Sequence, residues 1–286
     1  MIKLTDHFSA LAANYDVVLS DVWGVTHNGI AAFPEACKAL TRYREGGGTV
    51  ILITNAPRRG EAVRQQLDTL FHVPRGAYDG IATSGDVTCG VMAKRRGQSV
   101  FHLGPQRDIS IFDGLDIRFA PVETADYVVC TGLFNDDVET AESYRDMLGL
   151  MQARQLFMVC GNPDVVVERG DRLVYCAGAI ADLYGSMGGE VLYAGKPYRP
   201  IYEMALAQAE AVRGAKAPLA RVLAIGDSVR TDLKGAAAFG IDCLFVTAGI
   251  HAEELGDRDD PDVKRLAGIF AEAGTEARAV TRTLVW

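Results

Sequence analysis

Short runs of β-branched and apolar residues alternate with helical stretches along the chain, and this alternation limits the folds it can adopt. The strand-like runs include YDVVLSD (15–21), TVILITN (49–55) and RVLAIGD (221–227). Within the last two, VILIT (50–54) and VLAI (222–225) are almost wholly apolar, as strands covered on both faces are. Between the first two runs, residues 34–47 show helical spacing, with a proline at the start and glycines at the end. These patterns predict an α/β fold in which a parallel sheet is packed between layers of helices.

The middle of the chain repeats this pattern. The runs QSVFHLG (98–104), ADYVVCTG (125–132) and QLFMVCGN (155–162) are strand-like and are separated by helical segments. The chain has 286 residues, which is enough for two domains, and no linker rich in Pro, Gly or Ser divides it. We therefore expect an inserted domain at 85–189 within a core formed by 1–84 and 190–286.

Composition and charge argue against some classes of binding partner. A formal net charge of −8 without a long basic run argues against nucleic acid. No apolar run approaches the roughly 20 residues that span a bilayer, and the N-terminus lacks the apolar stretch of a signal peptide, so no membrane partner is expected. The six cysteines are scattered without metal-ligand spacing, which favours reduced core residues and a cytoplasmic location.

Polar residues stand where several predicted strands end. Asp21 ends the first strand, Thr54 the second, Lys196 follows EVLYAG, and Asp227 and Asp232 follow VLAI. Because ligands bind outside the carboxyl ends of parallel strands, we expect these side chains to converge. Clustered carboxylates need a cation, and hard oxygen ligands with room for water suit Mg²⁺. A nucleophilic Asp21 beside Mg²⁺, Thr54 and Lys196 is suited to phosphoryl transfer.

The same segments carry a family resemblance. DVWGV (21–25), LITN (52–55), GKP (195–197) and GDSVRTDLKGAAAFG (226–240) resemble the four ordered motifs of the haloacid dehalogenase (HAD) superfamily. The layout resembles subfamily IIA, which contains the NagD-type and 4-nitrophenylphosphatase-like enzymes. This resemblance implies a Rossmann-like three-layer core with an inserted α/β cap of the C2 type.

The resemblance also implies roles for the residues of the acidic cluster. Asp21 would be the nucleophile that becomes an aspartyl-phosphate. Asp21, Asp227 and the backbone carbonyl of Trp23 would ligate Mg²⁺, and Asp232 would support the metal and Lys196.

For the phosphate, the resemblance implies a second set of residues. Thr54 and the backbone of Asn55 would bind it, and Lys196 would neutralise its charge. The substrate would be a small phosphorylated metabolite of the sugar-phosphate or nucleotide type.

Trp23 departs from the family, whose phosphatases carry an aspartate there as general acid and base. An indole cannot transfer that proton, because its N–H only donates hydrogen bonds. One reading is a phosphatase with another proton donor, for which His27 is the nearest candidate. A second is a metal-independent haloacid dehalogenase, since those enzymes carry an aromatic residue at this position. A third is a weakly active protein that binds a phosphorylated ligand. The intact acidic motif favours the phosphatase.

Substrate choice would depend on the cap. The candidate residues there are Asn162, Asp164, Tyr175 and the CAGA segment at 176–179, which are equally consistent with turns and cap core. Related capped enzymes often dimerise through the cap, so a homodimer is compatible with the resemblance.

Overall fold

The structure, a computed structural model, describes residues 3–169, 172–251, 254–256 and 262–286. Strands and helices alternate through these residues. The strands are β1 (Val17–Asp21), β2 (Thr49–Thr54), β3 (Gly80–Thr83), β4 (Ser99–Leu103), β5 (Arg118–Phe119), β6 (Tyr127–Cys130), β7 (Phe157–Cys160), β8 (Val166–Arg169), β9 (Arg172–Tyr175), β10 (Val191–Tyr193), β11 (Val222–Gly226), β12 (Asp242–Val246) and β13 (Ala279–Thr281). The α-helices are α1 (Ser9–Ala12), α2 (Pro34–Glu45), α3 (Gly60–Gln66), α4 (Ser84–Ala93), α5 (Arg145–Ala153), α6 (Ala177–Ser186), α7 (Arg199–Arg213), α8 (Lys234–Phe239) and α9 (Val263–Ala273).

The chain divides into two compact units. The first comprises the described residues of Met1–Thr54, Glu61–Ala82 and Pro197–Trp286, and the second comprises those of Asn55–Gly60 and Thr83–Lys196. Each unit has its own mainly apolar sheet. This agrees with the predicted α/β class and with an inserted second layer.

The first unit is built on a sheet with the strand order β13-β12-β11-β1-β2-β3. Its central strands β11, β1 and β2 are parallel, and every residue of β1 is buried. The chain runs from β1 towards β2 and β3 on one side, whereas β11 to β13 extend on the other. The order therefore reverses between β1 and β11, and a crevice at the carboxyl ends forms at such a point.

Helix α2 shows why the segment between β1 and β2 is helical. Pro34 occupies its first turn, where a missing N–H costs nothing, and Gly46 follows its last residue. Its buried face, which includes Leu40 and Tyr43, repeats at helical spacing, and the Tyr43 hydroxyl donates to the Tyr15 carbonyl at 3.1 Å. This face closes one side of the sheet.

The second unit contains a sheet with the order β10-β7-β6-β4-β5, in which all neighbouring strands are parallel. Strands β8 and β9 form a separate antiparallel hairpin. A cluster of fully buried side chains that includes Leu148, Met158 and Tyr184 packs against the sheet. The inserted segment therefore has a core of its own.

The unit boundaries differ from the expected 85–189. Strand β10 (Val191–Tyr193) pairs with β7, so the residues up to Lys196 belong with the inserted unit. Residues 55–60 also group with that unit. The pairing partner of a short strand is not visible in its own residues, which is why the sequence pattern placed 190–196 in the core.

Two further expectations concern the environment of the chain. Among the described helices, none combines the length and the apolar character needed to cross a bilayer. All six cysteines carry reduced thiols, and burial raises the pKa of Cys37 to about 11 and that of Cys130 to about 12. At neutral pH these two are protonated core side chains and not reactive thiolates.

Candidate active site

Asp21 lies at the point where β1 ends and a tightly folded loop begins. Its carboxylate is buried, and its Oδ1 accepts a hydrogen bond from the Val22 N–H at 2.7 Å. The Thr26 hydroxyl and N–H donate to the Val22 carbonyl at 2.7 and 2.9 Å, and the Gly24 N–H donates to the His27 carbonyl at 2.9 Å. The loop is thus held by its own backbone, and Asp21 is fixed at its base.

Asp21 lies within a cluster of three buried carboxylates. One carboxylate oxygen each of Asp21, Asp227 and Asp232 lies within 4.8 Å of the other two. The Ile250 N–H donates to Asp227 at 2.8 Å and the Ser228 N–H to Asp232 at 3.1 Å. Backbone donors therefore orient each of these side chains.

Glycines make this concentration of carboxylates sterically feasible. A Cβ at Gly24 would lie 2.1 Å from Oδ2 of Asp227, and one at Gly249 would lie 1.9 Å from it. A Cβ at Gly226 would lie 2.2 Å from Cγ of Asp232. Gly24 also has a φ of +79°, which disfavours any residue with a Cβ. Side chains at these positions would collide with the cluster.

The cluster fits a divalent cation. Three carboxylates this close repel one another, and burial makes their charge costly, so a cation would stabilise them strongly. The donors are all hard oxygens, which Mg²⁺ and Ca²⁺ prefer to softer ligands. Thr54 ends β2, the strand beside β1, and in that pairing Asp21 lies opposite Ile53. The Thr54 hydroxyl therefore stands on the neighbouring strand, one residue beyond the level of Asp21.

In the second unit, Asn55 and Lys196 are joined by a reciprocal pair of hydrogen bonds. The Lys196 N–H donates to Asn55 Oδ1 at 2.6 Å, and Asn55 Nδ2 donates to the Lys196 carbonyl at 3.0 Å. Asn55 Nδ2 also donates to Asp164 Oδ1 at 3.0 Å. Lys196 is only 3 % exposed. The Asn55 side chain therefore fixes the backbone that carries the lysine.

Trp23 and His27 differ sharply in exposure. The indole of Trp23 is 51 % exposed, whereas His27 is 4 % exposed and stacks on Phe71 with ring centroids 4.1 Å apart. His27 Nδ1 accepts the Gly29 N–H at 2.9 Å, so the proton of the neutral ring is on Nε2. Burial lowers the pKa of His27 to about 4. This histidine is a neutral structural residue near neutral pH and does not suit the role of general acid.

The cap candidates contribute mainly to local structure. The Asp164 N–H donates to Asn162 Oδ1 at 3.1 Å, which forms a turn, and Asp164 binds Asn55 as described. Residues 177–179 begin α6, with Ala177 fully buried, and Tyr175 is an exposed residue of the β8–β9 hairpin. Most of these candidates therefore form turns or part of the core of the inserted unit, which was the alternative to substrate binding.

The sequence pattern missed two features of the site. One is the packing of Gly24 and Gly249 against Asp227, and the other is the use of the Asn55 amide to hold Lys196. The only signal for the glycines is that each lies in a loop after a strand, which many glycines share. The signal for Asn55 is its position directly after β2.

Replacing Gly24 by alanine should disrupt the acidic cluster. The new Cβ would stand 2.1 Å from the Asp227 carboxylate at a positive φ, so we expect Mg²⁺ affinity to fall by about 10- to 100-fold. Gly47→Ala is the matched control, because Gly47 has a φ of +91° and no atom within 4 Å of the added carbon. Calorimetric titration with Mg²⁺ would measure both variants. Equal affinities would contradict the steric role of Gly24.

The buried His27 should make stability depend on pH. Its pKa is about 4 in the folded chain and near 6.5 when unfolded, so the unfolded state binds the proton first as the pH falls. The contribution of neutral His27 to the free energy of unfolding should be fully present above pH 6.5. It should decrease by up to roughly 3 kcal/mol towards pH 4. Urea unfolding across this range should show a shallower decrease for His27→Gln than for the wild type. His102→Gln, in the other unit, should have a similar effect, since burial lowers the pKa of His102 to about 4 as well. An unchanged slope in His27→Gln would contradict this account.

Two family models match separate parts of the chain. Residues 18–118 match the haloacid dehalogenase-like hydrolase model, and residues 193–270 match the HAD-hydrolase-like model. These two ranges contain Asp21, Asp227 and Asp232, which the geometry brings together. No curated protein shows significant similarity to the chain.

Solved structures resemble the whole chain. A haloacid dehalogenase-like hydrolase from Brucella suis 1330 is 44 % identical, with a TM-score of 0.85 over 99 % of this chain and 100 % of its own. A p-nitrophenyl phosphatase from Archaeoglobus fulgidus is 20 % identical, with a TM-score of 0.71 and coverage of 94 % and 97 %. A glycerol phosphate phosphatase from Mycobacterium tuberculosis, in complex with calcium, is 21 % identical, with a TM-score of 0.62 and coverage of 84 % and 68 %.

These similarities confirm the resemblance read from the four motifs and the predicted α/β core with its inserted unit. The two phosphatases share the fold at low identity, while the Brucella protein is related in sequence along its full length. The chain belongs to the haloacid dehalogenase-like hydrolases.

Proposed function

We propose that this protein is a Mg²⁺-dependent phosphatase that hydrolyses a small phosphorylated metabolite through an aspartyl-phosphate on Asp21. The observation that carries the proposal is the buried cluster of Asp21, Asp227 and Asp232 at the carboxyl ends of β1 and β11. A dehalogenase that needs no metal would have little use for the other two carboxylates. The two distant structural neighbours, a p-nitrophenyl phosphatase and a glycerol phosphate phosphatase in complex with calcium, support the same proposal.

Asp21, Asp227 and the Trp23 carbonyl would hold the cation, with Asp232 supporting them. When bound, the cation would neutralise charge on the phosphate oxygens and on the cluster. In the first step, Asp21 forms a bond to phosphorus while the ester oxygen leaves with the bonding electron pair. In the second step, water attacks phosphorus, which releases phosphate and regenerates the carboxylate.

Phosphate binding is assigned to three residues. In the proposal, the Thr54 hydroxyl and the backbone of Asn55 donate to phosphate oxygens, and Lys196 compensates their charge. The two hydrogen bonds between Asn55 and the Lys196 backbone support this role, since they limit the positions that the lysine can take. A fixed charge needs little reorganisation during the reaction.

Trp23 leaves the proposed reaction without an acid–base residue at the usual position. The buried, neutral His27 does not replace it. An alkoxide would have to leave without a proton donor, and water would have to attack without a base. Because general acid–base catalysis contributes about 10²–10⁴-fold, both steps should be slow for alkyl phosphates.

The environment of the cysteines supports a cytoplasmic location for this activity. All six are reduced, and five of them are buried. Reduced thiols persist in the cytoplasm, where small phosphorylated metabolites are also found.

The nucleophile assignment predicts the effect of Asp21→Asn. Purified protein should release phosphate from 4-nitrophenyl phosphate only with Mg²⁺, and Asp21→Asn should lower that rate by about 10⁴-fold or more, because an amide cannot form the intermediate. Asp116→Asn, at an exposed position of the inserted unit, is the control. Undiminished activity in Asp21→Asn would exclude this nucleophile. Halide release from a 2-haloacid in the presence of a chelator would instead support the dehalogenase reading.

The missing acid predicts the effect of Trp23→Asp. A carboxyl group there should raise turnover of glycerol phosphate by about 10²-fold or more, whereas Trp23→Asn, which cannot titrate, should give no gain. With 4-nitrophenyl phosphate, the wild type should release a burst of nitrophenolate before a slow steady rate, and the burst should disappear in Trp23→Asp. Rapid-mixing absorbance and phosphate release would measure both effects. A folded Trp23→Asp without any gain would show that proton transfer does not limit the rate.

A further inference from the structure

The indole of Trp23 is exposed and yet held in a defined place. A Cβ at residue 29 would lie 2.1 Å from Cη2 and 2.5 Å from Cζ3 of Trp23, so the six-membered ring packs directly on the Gly29 backbone. Gly29 has a φ of +82°, which glycine adopts without strain. Despite this packing, about half of the Trp23 surface is open to solvent.

The loop beneath the indole is held by ring packing and by hydrogen bonds. His27 meets the indole edge to face, with centroids 5.4 Å apart and an angle of 77°, and it also stacks on the ring of Phe71. Asn28 Oδ1 accepts the N–H groups of Ile30 and Ala31, each at 3.0 Å. The Trp23 ring therefore packs beside the buried His27, which stacks on the half-buried Phe71, and above a turn closed by the Asn28 side chain. A ligand that stacks on it would have little motion of the loop to suppress.

The backbone that carries the ring lies close to the proposed chemistry. Trp23 is two residues from Asp21, so their Cα atoms are at most about 7 Å apart. Gly24, the next residue, packs against the Asp227 carboxylate of the acidic cluster. A ring attached to a phosphate at Asp21 would therefore lie near the backbone that carries the indole. Ile30, the other exposed apolar residue of this loop, is 82 % exposed.

We propose that Trp23, supported by Gly29, His27 and Phe71, is an aromatic platform that binds the planar aromatic leaving group of a phosphate monoester. This inference rests on the proposed phosphatase function and names its substrate class. Stacked or edge-to-face rings gain affinity beyond the area that they bury. The platform also fits the chemistry, because an aryl oxide leaves without the proton that an alkoxide needs. Trp23, which occupies the position of the general acid, would thus bind the substrates whose cleavage depends least on that acid.

The experiment compares two phosphonates that cannot be hydrolysed, phenylphosphonate and cyclohexylphosphonate, by calorimetric titration with Mg²⁺ present. They are similar in size and charge, and only the first is aromatic. The wild type should bind phenylphosphonate about 3- to 10-fold more tightly. Trp23→Phe should keep this preference and Trp23→Leu should lose it. Ile30→Ala, in the same loop, should leave the preference unchanged. Equal affinities in the wild type, or a preference that persists in Trp23→Leu, would overturn the platform.

A second measurement keeps the indole in place. The chain has two tryptophans, so Trp286→Phe leaves Trp23 as the fluorescent reporter. Phenylphosphonate should change its emission and cyclohexylphosphonate should change it much less. Gly29→Ala, whose added carbon would displace the ring, should abolish both the emission change and the affinity difference. An aromatic preference that is retained in Gly29→Ala would overturn the role of this support.

Binding and turnover fail separately in these tests. An aromatic preference without any hydrolysis of 4-nitrophenyl phosphate would overturn the phosphatase proposal and leave the platform supported. Hydrolysis without an aromatic preference would overturn the platform and leave the phosphatase proposal supported. If neither phosphonate bound, the proposed phosphate site would be wrong and the platform with it.

Discussion

The mutual repulsion of three buried carboxylates is the constraint on which the architecture of this site depends. Asp21, Asp227 and Asp232 have oxygens within 4.8 Å of one another, although carboxylates avoid both burial and like charge. The fold places them there because β1 and β11 are adjacent parallel strands whose carboxyl ends emerge at one edge. Backbone N–H donors orient each carboxylate, and glycines allow the chain to pass close to them. A bound cation would balance this charge, which is why the cluster supports the proposed metal-dependent chemistry.

Much of this core follows from the sequence, because its strands are apolar runs and its acidic residues come directly after them. Burial on both faces is a local property of residues such as those of β1, and a pattern can show it. The grouping of residues 190–196 is different, since β10 belongs to the second sheet only through its pairing with β7. Pairing is a long-range property, and three residues of strand carry little information about it. The same limit explains why the Asn55–Lys196 hydrogen bonds, which join residues 141 positions apart, were not foreseen.

Residue type was a poorer guide to the loop after β1. A histidine near a nucleophile suggests proton transfer because its ordinary pKa is close to neutral. Burial against Phe71 removes that capacity from His27, and its Nδ1 is used by the Gly29 N–H. Neither fact can be predicted from the amino-acid sequence, since both depend on how the loop folds back on itself. Trp23 shows the opposite case, because the type of side chain alone excludes acid–base catalysis.

In the proposed reaction, the loop after β1 therefore binds the leaving group and does not protonate it. In a loop with an acidic side chain at position 23, catalysis of alkyl ester cleavage would depend on a titrating group aimed at the leaving oxygen. Here the same position carries a large ring whose place is fixed by Gly29 and His27. Stacking can hold a leaving group but cannot protonate it, so the gain is confined to esters whose leaving oxygen is already a weak base. The second step has no such compensation, because the attacking water is the same for every substrate. In the proposed reaction, release of phosphate from Asp21 should therefore be slow whatever the leaving group is.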